Sequence, residues 1–330
     1  MEYLVTGATG LVGSHVVHQL VDAGHDVVGV TRSASNASHL PSEVTVVEGD
    51  ITDKESLREP MTGVDGVFHI AAWAYVGPGP ENEATAQRVN VEGTRNVLEL
   101  MDELAVPKGV YTSTAGFYDD TGDEPVDESD DPTKPSSPVY LRTKWEAHYE
   151  VARPMMDDGL PLVVVLPGNA FGRWDKPYGT NRGVLRDYLQ EDLPMVPRDW
   201  AFPFEHAADT ARSHVRAMER GEPGEEYIVA GETRTMADMF ALAEDITGVP
   251  APRTAPSSVF GLMAGAMGVV ERVATPPEGL RAETLAFLSG KDVAVDNSKA
   301  KRELGIDHRP LEDGLREYFE WEREQLATEA

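Results

Sequence analysis

Two rhythms of apolar and polar positions run along this chain. Tyr3 to Val5 form a short apolar run, and Val12, Val16, Val17, Leu20 and Val21 then recur at helical spacing until Gly24. A second apolar run follows over Asp26 to Val30. Strand, glycine turn, helix and strand make a βαβ unit, which favours parallel pairing. Further strand patterns fall at "EVTVVEGD" (43–50), "GVFHIAA" (66–72), "GVYTSTA" (109–115) and "PLVVVLPG" (161–168). Helical patterns lie between them, notably over 82–104 and 138–156. Such alternation predicts an α/β fold, a doubly wound parallel sheet.

After Gly168 the alternation loosens. "GNAFGRWDKPYGTNRG" reads as loop, "FPFEHAADTARSHVRAMERG" as a short strand and a helix, and "EYIVAG" (226–231) as a returning strand. From about residue 234 the pattern is helical, with proline-rich breaks at 250–256 and 275–277. These changes predict a dinucleotide-binding part over 1–173 and 202–231. A smaller, mainly helical substrate portion takes 174–201 and 232–330. The run "VFGLMAGAMGVV" (259–270) is too short to span a bilayer. It reads as a buried or lid helix, with an interfacial anchor as the lesser alternative.

Composition narrows the function. The 330 residues include no cysteine, so disulfides, thiolate catalysis and Cys-ligated metals are out. The net charge of −28 repels nucleic acid and anionic membranes. Neither is expected as a partner; a small-molecule substrate is. The opening "MEYLVTGATG" enters a strand at once and has no signal-peptide pattern, so a cytoplasmic location is expected. With 8 Lys against 21 Arg, the acidic excess is like that of proteins from salt-loving microbes. High salt would screen the self-repulsion it creates.

The candidate chemistry begins at "TGATGLVG". Gly7, Gly10 and Gly13 stand between the first strand and the first helix, spaced G-x-x-G-x-x-G. A turn without side chains lets backbone approach a pyrophosphate, and the helix start supplies free N–H groups. A turn needing glycine only for its dihedrals is the alternative. The second strand ends on Thr31, Arg32 and Ser33 with no carboxylate for the ribose hydroxyls. Arg32 therefore favours NADP, with NAD possible.

These residues, with "EGDITD", "FHIAA", "RVNVEGTRNVLEL", "VYTSTAGFY", "YLRTK" and "LPGNAFG" in that order, resemble the extended short-chain dehydrogenases/reductases, which include the NAD-dependent epimerase/dehydratase group. "FEHAADTARSHVRAMERGEPGEEYIVAGE" is most similar to the branch with dihydroflavonol-4-reductase-like and sugar-epimerase-like proteins. The resemblance implies a Rossmann fold with cofactor on Gly7, Thr9, Gly10, Leu11, Val12 and Gly13. It places Asp50 and Ile51 near the adenine, and Ala71 and Ala72 along the diphosphate and ribose. Asn90 would brace the strand ends. Pro167, Gly168 and Asn169 would pass the nicotinamide. Thr114 would be the catalytic hydroxyl, with Ser113 beside it at the cofactor. Tyr140 and Lys144 would be the catalytic pair and also touch the cofactor. Asp119-Asp120 stand where many members have glycine. The resemblance also allows a homodimer through two exposed helices.

The chemistry itself supports a Thr114-Tyr140-Lys144 triad. Hydride transfer at a C–OH needs a group to take or give the hydroxyl proton. Tyrosine's ordinary pKa near 10 is too high for that at neutral pH, and a nearby ammonium lowers it. Lys144 lies four residues on, the same helix face. Thr114 ends a strand, where ligand crevices form in such sheets. Tyr149–Arg153 and Tyr178–Arg182 share the tyrosine-to-cation spacing but lie further along the helix and in a loop. No H-x-x-x-H pair suggests a metal, His69 reads as a core histidine, and the acidic run 119–131 reads as a solvated loop. Trp73, Tyr75, Phe171 and Trp174 are pocket or packing residues. Three functions stay open: an NAD(P)-dependent oxidoreductase on a small carbonyl or alcohol, a nucleotide-sugar epimerase or dehydratase with tightly held NAD and a diphosphate bound by Arg173, Arg182 and Arg186, or a non-catalytic dinucleotide sensor.

Overall fold

The computed structural model describes the chain except residues 75–79, 119–120, 122–123, 136–137, 176–179, 272–273, 275, 277–280, 290–291 and 330, and the side chains of residues 80, 81, 180 and 181. Tyr75, Asp119-Asp120 and Tyr178 therefore lie outside the described residues.

Seven parallel strands build the main sheet: β1 (Glu2–Thr6), β2 (Asp26–Thr31), β3 (Thr45–Glu48), β4 (Gly66–His69), β5 (Gly109–Thr112), β6 (Leu162–Leu166) and, after three short or mixed strands, β10 (Glu226–Ile228). Their order is β10-β6-β5-β4-β1-β2-β3. The chain reverses direction across the sheet between β1 and β4, and ligand crevices in such sheets lie beyond the carboxyl ends of the strands there. The remaining strands are β7 (Asn169–Phe171), β8 (Met195–Pro197), β9 (Ala201–His206), β11 (Glu232–Thr235) and β12 (Arg253–Ala255). They form a three-stranded sheet, β11-β9-β7, and the pair β12-β8.

Both faces of the main sheet are covered, which is why its strands read as unbroken apolar runs. Leu4, Val28, Val67, Tyr111 and Val164 point into one core with the helix Gly93–Glu103. Tyr3, Val27, Phe68, Val110 and Val163 point into the other, with the helix Leu11–Asp22. A third core gathers Phe171, Tyr188, Trp200, Phe204, Phe240, Tyr318 and Phe319.

The strands end earlier than the apolar runs do. β4 stops at His69 and β5 at Thr112, so Ala71, Ala72, Ser113 and Thr114 all lie just past strand ends. The patterns over 82–104 and 138–156 are helical, but each is interrupted by a π-helical stretch, Gln87–Glu92 and Ala147–Ala152. The C-terminal part is less purely helical than its pattern, since β11 and β12 are strands. The apolar helix Ser257–Val270 is not buried: only its Phe260 is, while Leu262 is 77% and Val269 61% exposed. No helix of the described residues is long and apolar enough to cross a membrane.

Candidate active site

The glycine loop is built from backbone against backbone. Gly7 has φ +71°, and a Cβ on it would lie 2.7 Å from the Ala71 nitrogen. A Cβ on Gly13 would lie 2.1 Å from the Gly7 carbonyl oxygen. Glycine is thus required at Gly7 by the close approach of the loop after β4, and at Gly13 by the packing of the first helix turn on the loop after β1, whatever binds above them. Gly10 is the N-cap of the helix Leu11–Asp22, with Thr9 before it and Val12 in the first turn, and no side chain caps that end. Its backbone donors and positive dipole end suit a diphosphate. The residues present therefore fit a dinucleotide.

The adenosine side is more mixed than the sequence suggests. Arg32 is exposed just past β2. Glu48 on the neighbouring strand β3 also reaches this loop, accepting the Ala34 N–H at 3.1 Å. That carboxylate was hidden from a reading of β2 alone. Asp50 turns Oδ1 back onto Thr52 N and Oγ1, both at 2.9 Å. Ile51 is buried against Gly93, and its carbonyl accepts from Asn96 Nδ2 at 2.9 Å.

Asn90, 1% exposed, ties two site segments together. It accepts from Trp73 N at 2.7 Å and donates to Thr143 Oγ1 at 2.9 Å. It thereby links the chain following Ala71-Ala72 to the helix Val139–Glu146, which carries Tyr140 and Lys144.

Thr114 and Tyr140 meet. The Thr114 hydroxyl accepts the Gly116 N–H at 3.0 Å and hydrogen-bonds the Tyr140 phenol. Tyr140 keeps part of its surface open, yet protein packs closely around its hydroxyl. That desolvation pushes the phenol up to about 12, and the Thr114 bond opposes it. Lys144 is 3% exposed, and burial brings it down to about 7. Its Nζ donates to the Thr112 carbonyl at 2.6 Å and lies 3.0 Å from Tyr111 Oη. The expected effect of an ammonium on the phenol is not the prevailing one here. Burial raises the phenol, and Thr114 rather than Lys144 opposes it; Lys144 is drawn inward onto β5.

Ser113 is separated from Thr114 by its partner. Its Oγ lies 2.8 Å from His148 Nδ1, and His148 Nε2 lies 3.0 Å from Glu226 Oε1. All three are buried, so the Ser113 side chain is committed to the interior.

Pro167 accepts the Ala115 N–H at 2.8 Å, and Asn169 begins β7. Gly168 is pressed against Pro203, whose carbonyl oxygen lies 2.7 Å from where a Cβ would sit. The Gly168 N–H also goes to Glu205, a 3%-exposed carboxylate that takes Gly231 N at 2.7 Å and Thr210 Oγ1 at 3.0 Å. Burial pushes Glu205 up to about 8. Sequence reading missed it. The available signal was a lone acid in the apolar strand "FPFEH", which must be partnered if buried.

The aromatic candidates resolve unevenly. Phe171 is 2% exposed in the third core. Trp174 stacks on His18 at 4.5 Å, against the helix of the glycine loop. Trp73 is half-buried beside Asn90. His69 is a core histidine, 1% exposed. In the acidic run, Asp127 Oδ1 is used by Ser129 N and Oγ, and Glu128 accepts from Ile228 N.

A parallel sheet with a glycine cradle at its switch point, and a Thr-Tyr pair beside a buried lysine, defines a dinucleotide-dependent enzyme class. The chain belongs to the NAD-dependent epimerase/dehydratase family, whose model matches residues 3–230. It is an NAD-dependent enzyme of the reductase and epimerase kind within the extended short-chain dehydrogenases/reductases. It is 29% identical to a putative dihydroflavonol 4-reductase of Synechocystis sp., over 97% of this chain and 94% of that one. It is 30% identical to sterol demethylase protein B of Methylococcus capsulatus, over 98% and 99%. The crystal structure of a UDP-glucose 4-epimerase with UDP-glucose, from Thermotoga maritima, superposes with a TM-score of 0.80 at 25% identity, over 99% and 100%.

Proposed function

We propose that this chain is an NAD(P)-dependent oxidoreductase that transfers hydride to or from a small carbonyl or alcohol with exchangeable cofactor. The observation that carries this reading, over that of a sugar-nucleotide epimerase, is the fate of the arginines. Arg182, 6% exposed, forks onto the fully buried Glu322 at 2.9 and 3.2 Å. Arg186 pairs with Glu322 and Glu329. Both are thus spent on holding the C-terminal helix Leu311–Glu329. Breaking such a buried pair costs about 3–5 kcal/mol, a poor way to free a diphosphate ligand. Arg173 keeps the epimerase reading alive: it is 44% exposed in its side chain and touches Glu317 at only 3.6 Å.

In this reading Gly7, Thr9, Gly10, Leu11, Val12 and Gly13 cradle the diphosphate. Ala71 and Ala72 flank it, Asp50 and Ile51 take the adenine, and Pro167, Gly168 and Asn169 pass the nicotinamide. The dinucleotide, when bound, supplies or accepts the hydride. Tyr140 Oη gives the proton to the nascent alkoxide, or takes it from the alcohol. Thr114 Oγ1 holds the substrate oxygen and steadies the phenol. Lys144 has one ammonium N–H beyond those facing Thr112 and Tyr111, which suits a ribose hydroxyl. Exposed Arg32 supports a preference for NADP, which Glu48 opposes. Most of the third core, with Tyr188, Trp200, Phe240, Tyr318 and Phe319, falls in a substrate portion over 174–201 and 232–330, and Phe171 and Phe204 join it from the dinucleotide-binding part.

The test is to analyse the purified protein for retained nucleotide and then screen aldehydes and ketones with NADPH. Expected is a nucleotide-free protein that turns over a carbonyl with added cofactor. Stoichiometric retained NAD with UDP-sugar epimerisation would replace the reading with the second one.

A further inference from the structure

A hydrogen-bonded chain of buried side chains runs behind the candidate site, from Lys144 to the glycine loop. Lys144 Nζ lies 3.0 Å from Tyr111 Oη on β5. The Tyr111 hydroxyl hydrogen-bonds that of Thr94, in the first turn of the helix Gly93–Glu103. Thr94 Oγ1 lies 3.0 Å from His69 Nε2 on β4, and His69 Nδ1 lies 2.8 Å from Thr6 Oγ1 on β1. Lys144 is 3% exposed and Thr6 0%, with every member between them at 1%. The far end is fixed, because Thr6 Oγ1 also accepts the N–H groups of Ile70 at 3.2 Å and Ala71 at 3.3 Å.

Donor and acceptor counting allows two senses for this chain. A neutral imidazole has one N–H, on either nitrogen, and each hydroxyl has one O–H. If Lys144 is an ammonium it donates to Tyr111. Tyr111 then donates to Thr94 and Thr94 to His69 Nε2, leaving the His69 proton on Nδ1, toward Thr6. If Lys144 is a neutral amine its lone pair accepts from Tyr111. Every bond is then reversed: the His69 proton sits on Nε2, and Thr6 donates to Nδ1. The second sense suits Thr6 better, since its hydroxyl already accepts from Ala71 and shares the Ile70 N–H with the Thr6 carbonyl. The first sense asks it to accept three.

We propose that this chain is a polarity switch, in which the charge of Lys144 and the tautomer of His69 change together through Tyr111 and Thr94. Tyr111 and Thr94 are positioning residues, and no net proton leaves the chain beyond the one that Lys144 gains or loses. The titratable groups facing Lys144 are Tyr111 from β5 and His69 from β4; no carboxylate contributes to its shift among the described residues. Burial holds His69 down to about 3, so its ring stays neutral while Lys144 titrates near 7. The anchored end at Thr6 favours the uncharged lysine. A structural rather than switching chain would hold one tautomer at all pH. The inference rests on the proposed site only for its use, and its test needs no turnover.

The test is NMR on the intact protein. Nitrogen-15 shifts of the nine histidines report each tautomer, and carbon-13 at the ε position of the eight lysines reports charge. In the wild type, His69 is expected to exchange an Nδ1–H for an Nε2–H tautomer with the midpoint of the Lys144 titration. Tyr111→Phe keeps the ring but removes the hydroxyl, and Thr94→Val keeps the shape. In both, His69 is expected to hold the Nε2–H tautomer while Lys144 still titrates. One unchanging His69 tautomer across the wild-type Lys144 titration overturns the proposal. So does a tautomer change that persists in either variant.

Discussion

One helical segment carries two tyrosines, each with a cation four residues on, and the two pairs have opposite fates. Tyr140 meets a hydroxyl from a different strand end, Thr114, while Lys144 turns inward to β5. Tyr149 is stacked between Trp145 at 4.9 Å and His148 at 4.5 Å. Arg153 lies over its ring at 4.7 Å and is paired with Asp131 and Glu226. Identical spacing gives a phenol bonded to a strand-end hydroxyl in one place and an aromatic stack in the other. What separates them is long-range: Tyr140 opens the helix at the carboxyl ends of the strands, and Tyr149 lies over two turns further on.

The largest difference is expected at the tyrosines themselves. Tyr140→Phe should lower kcat about a thousandfold, the middle of the range for general acid–base catalysis. Tyr149→Phe should leave kcat within about twofold, since the ring keeps its stack. Steady-state kinetics on both would sharpen the contrast, and equal losses would erase it.

Next come the cations. Lys144→Met should cost about a hundredfold in kcat/KM, with weaker cofactor binding. Arg153→Met should keep kcat/KM and lower Tm by a few degrees, because it loses a partly exposed ion-pair network. Kinetics and thermal melts on the same samples separate the two.

Among the three proposed catalytic residues, the smallest effect is expected for Thr114→Val. Loss of its hydroxyl removes a donor at the reacting oxygen, on the order of tenfold to a hundredfold in kcat. It also removes the bond that holds the Tyr140 phenol down. The phenol should rise further, so the limb on which alcohol oxidation grows with pH should move to higher pH. A pH profile that only falls in height would contradict this role for Thr114.

Much of the fold was legible because burial on both faces writes unbroken apolar runs into parallel strands. The glycine loop was legible for a related reason: glycines forced by backbone contact stand out at fixed spacing. Thr114, Tyr140 and Lys144 could be proposed from the order of strand end and helix start. What stayed hidden depends on pairing between distant segments. Glu205 looked like one more acid in an acidic chain until Gly168, Gly231 and Thr210 were seen around it. Glu48 reaches the loop after β2 only because β3 lies beside it. Arg182 and Arg186 read as ligands for a diphosphate, and their partners lie about 140 residues away on the last helix. His69 was legible as core, but a buried imidazole also needs partners for both nitrogens, and neither Thr6 nor Thr94 is near it in sequence.

In the proposed function the glycine cradle takes a dinucleotide, and the Tyr140 hydroxyl serves the chemistry while adding little to cofactor affinity. The direct measurement is titration of NADPH and NADH into wild-type protein and Tyr140→Phe in molar salt, following quenching of the five tryptophans. Saturable binding to both proteins is expected, tighter for NADPH, with Kd within about threefold between them. Binding of neither nucleotide to the wild type would contradict it.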